Sequence, residues 1–323
     1  MHESSPRMLV ARAPTRIDFG GGWTDVPPYS VREGGCVCNL AISLYATARL
    51  AASDGAASVM TGQADFSLAT AAMQRAGVSG VNAELVNDFP VAAGLGGSSA
   101  AGIALLGALD RWQFGDRPLD RGALAEASRE LEVRDLGLAG GRQDHYAAAF
   151  GGALGLWFGE ATTLRQIPLS PDVTQALARR CVIAYTGKSR ISADTITGVM
   201  SAYESKQHGV ADALGRMKEL AEAMVVALEA GDIDGLGRLV GEHWSWQRSL
   251  HPAIPTALID HLLARARAAG ALGGKALGAS GGGCVMAIAP EGEEHRVRDA
   301  MRGDAQLLDF RIDANGFSWE VMT

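Results

Sequence analysis

The apolar and polar positions of the chain follow two periods, which predict a mixture of strands and helices. Apolar runs rich in Val, Leu and Ile over residues 36–52 and 81–87 predict strands. A 3.6-residue period over residues 120–133 predicts a helix with one apolar face. The other elements predicted in this half are strands at 9–13 and 16–19 with a break at Pro14, a strand pair within 57–68, a strand at 154–158, and helices at 70–76, 98–114 and 143–150.

The pattern restarts after Pro168 and again mixes the two periods. It predicts strands at 181–185, 284–289, 307–312 and 317–322, and helices at 192–204, 210–230, 233–250, 254–269 and 293–301. No low-complexity linker or internal repeat is visible, so two lobes with a large shared interface are expected. The predicted boundary lies near residues 166–172 and gives units 1–168 and 169–323.

A glycine-rich loop, P-V-A-A-G-L-G-G-S-S-A-A over residues 90–101, runs directly into an apolar, alanine-rich stretch. Such a loop gathers backbone N–H groups at the positive end of a helix dipole, which suits a phosphate. Ser98 and Ser99 stand where a hydroxyl caps a helix or faces Mg²⁺. The loop lacks the G-K-[ST] ending of a Walker A motif, and Ser99 occupies the third glycine position of G-x-G-x-x-G.

Composition narrows the class of protein without identifying it. The net charge is −7 and no basic run suggests a nucleic-acid partner. No stretch of 18 apolar residues and no apolar leader occur, so a cytoplasmic protein without a membrane span is expected. The four cysteines stand in apolar runs and are expected to be buried, reduced thiols. Because the chain is acidic overall and has no basic run, an anionic substrate would have to bind to individual Arg and Lys side chains.

Two further segments carry glycine motifs: A-P-T-R-I-D-F-G-G-G-W-T-D over residues 13–25 and K-A-L-G-A-S-G-G-G-C-V-M-A-I-A over 275–289. With the loop at 90–101 they form three motifs in a fixed order, which resembles the GHMP kinase superfamily over nearly the whole chain. The resemblance implies an ATP-dependent kinase with an α+β, two-lobed GHMP kinase fold. Its lobes would be a ribosomal-protein-S5-like ATP-binding domain at 1–168 and a ferredoxin-like domain at 169–323.

The resemblance implies roles for residues that match the family motifs. The loop would hold the phosphates of ATP through Gly94, Leu95, Gly96, Gly97, Ser98, Ser99 and Ala100. A serine and a glutamate would hold Mg²⁺; Ser98 and Glu132 match best, with Ser99 and Glu130 as the alternatives.

The segment G-G-R-Q-D-H-Y-A-A-A-F-G-G over residues 140–152 resembles the catalytic stretch of the family. Asp144 is the candidate base, which accepts or orients the proton of the attacking hydroxyl. Arg16 is its candidate partner, which holds the carboxylate ionised and counters charge on the transferred phosphoryl group.

The first motif also narrows the branch of the family. Its G-G-G-W-T-D, residues 20–25, resembles heptose-phosphate kinases and fucokinase-like enzymes, and D-glycero-D-manno-heptose 7-phosphate kinases especially closely. That branch implies phosphorylation of the anomeric C1 hydroxyl to give the 1,7-bisphosphate, a precursor of nucleotide-activated heptose for capsule or lipopolysaccharide. Thr24 and Asp25 would then bind sugar hydroxyls, because buried hydroxyls must be hydrogen-bonded.

A substrate that already carries a phosphate needs cations. Lys188 and Arg190, within T-G-K-S-R-I-S at residues 186–192, follow a predicted strand and precede a predicted helix. A cation at a helix N-terminus is mildly unfavourable, which hints at an anion there. Arg142, beside the candidate base, is a further candidate for the phosphate.

Other motifs receive weaker interpretations. Gly281 and Gly282 belong to the last glycine motif, which is expected to close the active site from the C-terminal lobe. Lys275 either supports the site or is solvated. Residues 18–20 spell D-F-G but lack the other protein-kinase motifs and receive no role. The histidines, for example His243, lack metal-ligand spacing and are interpreted as surface or supporting groups.

Two alternatives stay open. An anomeric kinase of an unphosphorylated sugar such as L-fucose would leave Lys188 and Arg190 without a phosphate to bind. A sugar-binding regulator without turnover is disfavoured, because the candidate catalytic and metal-binding residues are all present. The expected partners are ATP and a small sugar phosphate, without nucleic acid or membrane, and the sequence leaves a homodimer open.

Overall fold

The computed structural model describes residues 8–53, 58–61, 66–188 and 192–322. Its first sheet has seven strands, ordered β11-β1-β2-β4-β3, with β5 paired to β2 and β6 paired to β5. The strands are β1 (Met8–Gly20), β2 (Gly35–Ala52), β3 (Ser58–Thr61), β4 (Val81–Asn87), β5 (Ala153–Phe158), β6 (Thr162–Ile167) and β11 (Ser318–Met322). All pairs are antiparallel except β3 with β4. The long strand β2 has two partners on the side away from β1, β4 along one half and β5 along the other.

The predicted break at Pro14 is wrong, because β1 runs through it without interruption. Pro14 pairs with Tyr45 whereas Thr15 pairs with Ile42, so the register shifts between the two residues. Proline has no N–H for the ladder, and a local irregularity of this kind lets the strand continue past it. The strand therefore carries Arg16 towards the centre of the molecule without a turn.

Helices cover the first sheet and set the position of the glycine loop. They are α1 (Tyr29–Arg32), α2 (Phe66–Ala76), α3 (Gly97–Phe114), α4 (Arg121–Glu130) and α5 (Gln143–Phe150), and α4 continues into one π-helical turn (Leu131–Asp135). The small residues of α3 let it lie close to its neighbours: a Cβ on Gly102 would be 2.5 Å from Oγ of Ser128, and one on Gly107 would be 2.3 Å from the Phe317 ring. Helix α3 is accordingly buried along most of its length.

The second sheet has four strands in the order β10-β7-β9-β8, all antiparallel. They are β7 (Cys181–Tyr185), β8 (Gly273–Ala276), β9 (Cys284–Ile288) and β10 (Gln306–Leu308). The helices of this half are α6 (Pro171–Arg180), α7 (Ser192–Glu204), α8 (Val210–Glu229), α9 (Ile233–Gln247), α10 (Ala257–Ala268) and α11 (Glu294–Arg302). Helix α8 also packs on strands β1 and β2 and helix α9 packs on β1, so the two sheets share a core.

The predicted α+β class is confirmed. Strand β6 and helix α6 were missing from the sequence prediction, and only β3 is a described strand within 57–68, because α2 already begins at Phe66. Strand β11 returns to the first sheet and pairs with β1. The domain boundary between residues 168 and 169 stays a prediction. All four cysteines are buried and unpaired. Within the described ranges, no helix combines the length and apolar character needed to cross a membrane.

Candidate active site

A cavity of about 480 Å³ lies where the three glycine motifs meet. The loop before α3 forms one part of its wall, and Gly278 and Ala279 of the last motif contribute from the second half of the chain. The charged and amide side chains of the wall are Arg16, Asp18, Asp25, Asn87, Glu132, Gln143 and Asp144. Segments far apart in sequence thus bring four carboxylates and one guanidinium to the same cavity.

The glycine loop presents the start of α3 to this cavity. Gly96, the residue before the helix, has a left-handed φ of 76° and no side chain caps the helix. Gly94 has a φ of 75°, and a Cβ there would lie 2.6 Å from the carbonyl oxygen of Leu277. Both positions therefore need glycine. The N–H groups of the first helical turn are left for a ligand, which is the arrangement that binds phosphate.

Arg16 on β1 forms an ion pair with Asp144 at the start of α5. Its Nε and Nη2 atoms both lie 2.7 Å from Oδ1 of Asp144, and Nη1 donates to the carbonyl oxygen of Gly94 at 2.7 Å. The Arg16 side chain is 4% exposed, whereas that of Asp144 is 28% exposed. The guanidinium is thus fixed inside the protein while the carboxylate faces the cavity.

Glu132 lies in the π-helical turn and belongs to a buried polar cluster. Nε2 of His145 is 3.2 Å from Oε2 of Glu132, and Oγ of Ser99 is 3.4 Å from the same atom. Nδ1 of His145 is 3.0 Å from Oγ of Ser128. Single π-helical turns are frequent at functional sites. Here the turn brings a carboxylate to a serine of the glycine loop.

The environment of Glu132 favours its charged form. Burial tends to raise the pKa of Glu132, but the charge of His145 and hydrogen bonds from His145, Ser98 and Ser99 outweigh burial and lower the pKa. Ser98 is exposed and Ser99 is buried, and both hydroxyls lie within reach of the carboxylate. The pair of a hydroxyl and a carboxylate suits a hard cation such as Mg²⁺.

Glu130, the alternative to Glu132, does not face the cavity. Its carboxylate pairs with Arg75 and with Arg134, the second contact at 3.5 Å. Residues two positions apart on a helix point in nearly opposite directions, so only one of the two glutamates lies in the cavity wall. Glu132 is thus the glutamate that can face a cation in the cavity.

Asp25 is held by the backbone that precedes and opens α5. Its Oδ2 accepts the N–H of Arg142 at 2.8 Å and that of Gln143 at 3.0 Å, and the residue is 2% exposed. Burial raises the pKa of Asp25 to about 6; the negative charge of Asp144 adds to this rise and the two backbone hydrogen bonds oppose it. A Cβ on Gly141 would be 1.9 Å from Oδ2 of Asp25, so the backbone approaches the carboxylate closely.

Comparison with known families assigns both halves of the chain. Residues 65–152 match the N-terminal domain of GHMP kinases, and residues 224–305 match their C-terminal domain. The chain belongs to the GHMP kinase family. Members of this family are ATP-dependent kinases with an alcohol group as acceptor, which favours an enzyme over a binding-only regulator. The predicted GHMP kinase fold is likewise confirmed.

Several relatives of this GHMP kinase act on sugars. It is 25% identical to the D-glycero-alpha-D-manno-heptose 7-phosphate kinase of Campylobacter jejuni over 98% of this chain and all of the relative. It is 27% identical to an L-fucokinase/L-fucose-1-P guanylyltransferase of Bacteroides fragilis and 24% identical to a bifunctional fucokinase/GDP-fucose pyrophosphorylase of Arabidopsis thaliana, spanning 38% and 33% of their lengths. The crystal structure of a D-glycero-D-manno-heptose 1-phosphate kinase of Bacteroides thetaiotaomicron shares its fold with a TM-score of 0.80, at 24% identity over 98% of this chain and 99% of that one.

The kinase does not bring every predicted substrate residue into the cavity. Oγ1 of Thr24 donates to the carbonyl of Gly21 at 2.7 Å and lies 3.0 and 3.1 Å from the backbone O and N of Cys36, so the fold itself uses this hydroxyl. The guanidinium of Arg142 points to the turn between β5 and β6, and only its backbone N–H serves the site, by holding Asp25. Neither Thr24 nor Arg142 belongs to the cavity wall.

Residues 186–192, predicted to bind the phosphate of the substrate, and the last glycine motif contribute less to the cavity wall than expected. Lys188 is exposed and lies outside the cavity wall, and Arg190 lies outside the described residues. Gly281 and Gly282 are also absent from the wall, which the last motif reaches through its first glycine, Gly278. This motif packs on the glycine loop of the kinase, and its backbone covers that side of the cavity.

Sequence reasoning assigned no role to Asp18 and left Lys275 open, but the structure joins them. Nζ of Lys275 on β8 lies 3.0 Å from Oδ2 of Asp18 on β1, and the two side chains are 0% and 2% exposed. Burial lowers the pKa of Lys275, and the carboxylate opposes this shift. A signal for Asp18 was present, because residues two apart on a strand share a face and Arg16 had already been placed in the site.

Two histidines of the kinase are buried beside these groups. His145, which contacts Glu132, directly follows Asp144 in sequence, and that neighbourhood was the only signal for its role. Nε2 of His243 accepts the N–H of Gly21 at 2.8 Å. Burial, together with the charge of Lys275, holds the pKa of His243 well below its usual value, so its ring is neutral.

Proposed function

We propose that this kinase transfers the γ-phosphoryl group of ATP to the anomeric C1 hydroxyl of a sugar. The observation that carries the proposal is the Arg16–Asp144 ion pair, which is also hydrogen-bonded to the glycine loop through the carbonyl of Gly94. Phosphoryl transfer depends on positioning and on neutralisation of charge more than on covalent chemistry. A carboxylate at the phosphate loop, fixed by an arginine, meets both needs.

The first turn of α3 would hold the phosphates of ATP through its backbone N–H groups. Glu132 would hold Mg²⁺ together with Ser98 or Ser99. The chemistry that Mg²⁺ supplies when bound is neutralisation of charge on the phosphates. In the described part of the chain, no group of three or more Asp, Glu, His or Cys side chains is arranged to hold a metal ion. Phosphate oxygens and water would therefore complete the coordination shell.

Asp144 would accept or orient the proton of the attacking hydroxyl, and Arg16 would counter the negative charge on the transferred group. Asp25, buried in the same wall and held by two backbone N–H groups, would bind sugar hydroxyls. The sugar specificity of the heptose kinase and fucokinase relatives supports a sugar as acceptor.

The charges of the cavity favour an unphosphorylated sugar, such as L-fucose, over heptose 7-phosphate. Among the lining residues that the structure describes, Arg16 is the one cation, and it is paired with Asp144. The Arg142 side chain points to the turn between β5 and β6, and Lys188 lies outside the wall. The described wall therefore offers no unpaired cation to a phosphate group carried by the sugar. D-glycero-D-manno-heptose 7-phosphate is the second candidate; it rests on the Campylobacter jejuni relative and on Arg190.

The test is ADP release from Mg-ATP with L-fucose, D-mannose, D-galactose, mannose 6-phosphate and D-glycero-D-manno-heptose 7-phosphate. We expect turnover with a free sugar, and ³¹P NMR of the product should show an anomeric phosphate. Turnover confined to the phosphorylated heptose would instead select the second candidate and make Arg190 the next target. Absence of turnover with every sugar, while Mg-ATP still binds, would overturn the proposal. A cytoplasmic location, a homodimer and a role in surface-polysaccharide synthesis stay predictions.

A further inference from the structure

Among the residues that the structure describes, none donates a hydrogen bond to two buried side-chain oxygen atoms of the cavity wall. One is Oδ1 of Asp18, whose other oxygen accepts from Lys275, and the second is Oε1 of Gln143. Asp18 and Gln143 are 2% and 7% exposed, and both belong to the wall. Buried acceptors are nearly always paired in folded proteins, so two orphaned acceptors beside one cavity require an explanation. A ligand that donates hydrogen bonds would satisfy both.

The side chains of Asp18 and Gln143 flank one stretch of wall. Gly22 lies between these side chains, because a Cβ there would be 2.5 Å from Oδ2 of Asp18, the oxygen bonded to Lys275, and 3.0 Å from Nε2 of Gln143. The backbone N–H of Gln143 also donates to Asp25, so a third acceptor group adjoins the same stretch. This part of the wall therefore brings the side chains of Asp18, Gln143 and Asp25 together, and a side chain in place of Gly22 would crowd the first two.

Lys275 fixes the first of these acceptors without reaching the cavity. Its side chain is fully buried and is not part of the wall, and its ammonium lies 3.0 Å from Oδ2 of Asp18. The carboxylate thereby keeps a compensating charge behind it while its second oxygen stays unpaired. Because Lys275 comes from β8 and Asp18 from β1, the contact also ties the second sheet to the sugar side of the site.

A surface made of carboxylate and amide oxygens selects among ligands by charge and by hydrogen-bonding type. Hydroxyl groups can donate to such oxygens, whereas a phosphate has only acceptors near neutral pH and is repelled by the carboxylates. A site built to hydrogen-bond a hydroxyl also rejects an analogue that lacks it, because the buried polar group is then left unpaired.

We propose that Asp18 and Gln143 are specificity-determining residues that accept hydrogen bonds from hydroxyl groups of the sugar, and that Lys275 is a positioning residue that fixes Asp18. This inference rests on the proposed function and deepens it: the ligand presents neighbouring hydroxyls, and no phosphate, to this stretch of wall. The ATP side of the cavity has no part in it.

The experiment compares the wild type with Asp18→Ala/Lys275→Met, which removes both buried charges together, and with Gln143→Leu. The matched control is Asp260→Ala/Arg248→Met, which removes an ion pair of 2.9 Å whose side chains are 42% and 43% exposed. Each protein is assayed with the preferred sugar of the panel and with its monodeoxy analogues. Sugar affinity is measured independently by tryptophan fluorescence, because Trp23 lies in the cavity wall.

We expect the KM and Kd for the preferred sugar to rise roughly 10- to 100-fold in the Asp18 double variant, as for a lost hydrogen bond to a charged group. The Kd for Mg-ATP should change by less than about twofold, since the phosphates bind to backbone groups. The Asp18 double variant should lose most of the wild-type preference for the parent sugar over one particular monodeoxy analogue. Gln143→Leu should do the same for another hydroxyl.

If each substitution lowers the affinity for every monodeoxy analogue by the same factor as for the parent sugar, this inference is overturned, provided that the wild type still phosphorylates the parent sugar. A wild type that neither binds nor phosphorylates any sugar would instead remove the proposed function. If circular dichroism shows that the double variant is unfolded, Asp18→Leu/Lys275→Met fills more of the space of the pair and still removes the acceptor, and the same comparison of analogues decides the outcome.

Discussion

Arg16 and Asp144 are 128 positions apart in sequence, yet Nε and Nη2 of the arginine both lie 2.7 Å from Oδ1 of the aspartate. The same guanidinium holds the carbonyl of Gly94, so the candidate base and the phosphate loop are joined through one side chain. Because the guanidinium is held on both sides, little reorganisation is needed when negative charge develops during transfer.

Asp144→Asn should lower kcat by roughly 10²- to 10⁴-fold, because the amide keeps the shape of the side chain but cannot accept the proton of the hydroxyl. The Kd for Mg-ATP, measured by calorimetry, should change by less than about threefold, since backbone N–H groups bind the phosphates. Asp309→Asn is the control, because that carboxylate is 86% exposed and pairs with Arg298 on the surface. A kcat within tenfold of the wild type would contradict the role of Asp144.

Glu132→Gln should raise the Mg²⁺ concentration needed for half-maximal rate, because one charged ligand is lost. His145→Gln should raise it by about 10-fold or more, as expected for a residue that orients a metal ligand. Binding of Mn²⁺ in the presence of a non-hydrolysable ATP analogue, followed by electron paramagnetic resonance, gives a readout apart from turnover. Glu130→Gln is the matched control, since Glu130 pairs with Arg75 and Arg134. Equal effects at positions 130 and 132 would refute the assignment.

Gly141→Ala should impair sugar binding, because the added Cβ would lie 1.9 Å from Oδ2 of Asp25 and must displace this carboxylate. Misplacement of a positioning group by about 1 Å can lower the rate roughly 10²-fold, so we expect a kcat/KM loss of that order for the sugar. The neighbouring Gly140→Ala provides the control, because nothing lies within 4 Å of a Cβ there. Similar kinetics for the two variants would show that Asp25 is not positioned by this close approach.

The raised pKa of Asp25, about 6, predicts an acid limb in the activity. If the ionised carboxylate binds the sugar, kcat/KM for the sugar should fall as the pH drops through about 6, and this limb should be missing in Asp25→Asn. The Asn variant should also have a kcat/KM at least about tenfold lower at pH 8, where the wild type carries the charge. An unchanged acid limb in the variant would assign the titration to another group.

The same shift makes Asp25 a source of instability above its folded pKa. The pKa rises from 3.8 to about 6 on folding, so the folded state binds more protons between these values, and the free energy of unfolding decreases as the pH rises through them. A shift of this size corresponds to about 3 kcal/mol. Asp25→Asn should therefore be more stable than the wild type at pH 8, with the gain fading between pH 6 and 4. Urea unfolding at both pH values measures it; a constant difference would contradict the cause.

Sequence periodicity predicted several elements to the residue, including β4, α5, β7 and α7. These elements have strong alternation or clear ends, so local information is sufficient to define them. It was insufficient for β6 (Thr162–Ile167) and α6 (Pro171–Arg180), which are short and rich in polar residues. At Pro14 the local rule was misleading, because the register shift that lets β1 continue depends on its partner strand.

The residues of the candidate site likewise include some that local sequence could identify and others that depend on the tertiary structure. Residues inside glycine motifs, such as Arg16 and Asp25, could be found because the motif itself marks the chemistry. The pairing of Asp18 with Lys275 spans 257 positions and depends on how β8 meets β1, which no local pattern encodes. Arg142 illustrates the opposite case: its place beside the candidate base was predicted, but the direction of its side chain depends on the turn between β5 and β6.

Strand β1, which carries Arg16 and Asp18, is hydrogen-bonded on one side to β11 near the other end of the chain. During synthesis β1 emerges before β11, so this edge is left without its partner until all the other strands named here have been made. A ribosome-bound intermediate would therefore expose an unpaired edge beside the strand that carries the candidate catalytic arginine. Completion of the first sheet along β1 is for this reason coupled to synthesis of β11, which follows every strand of the second sheet in sequence.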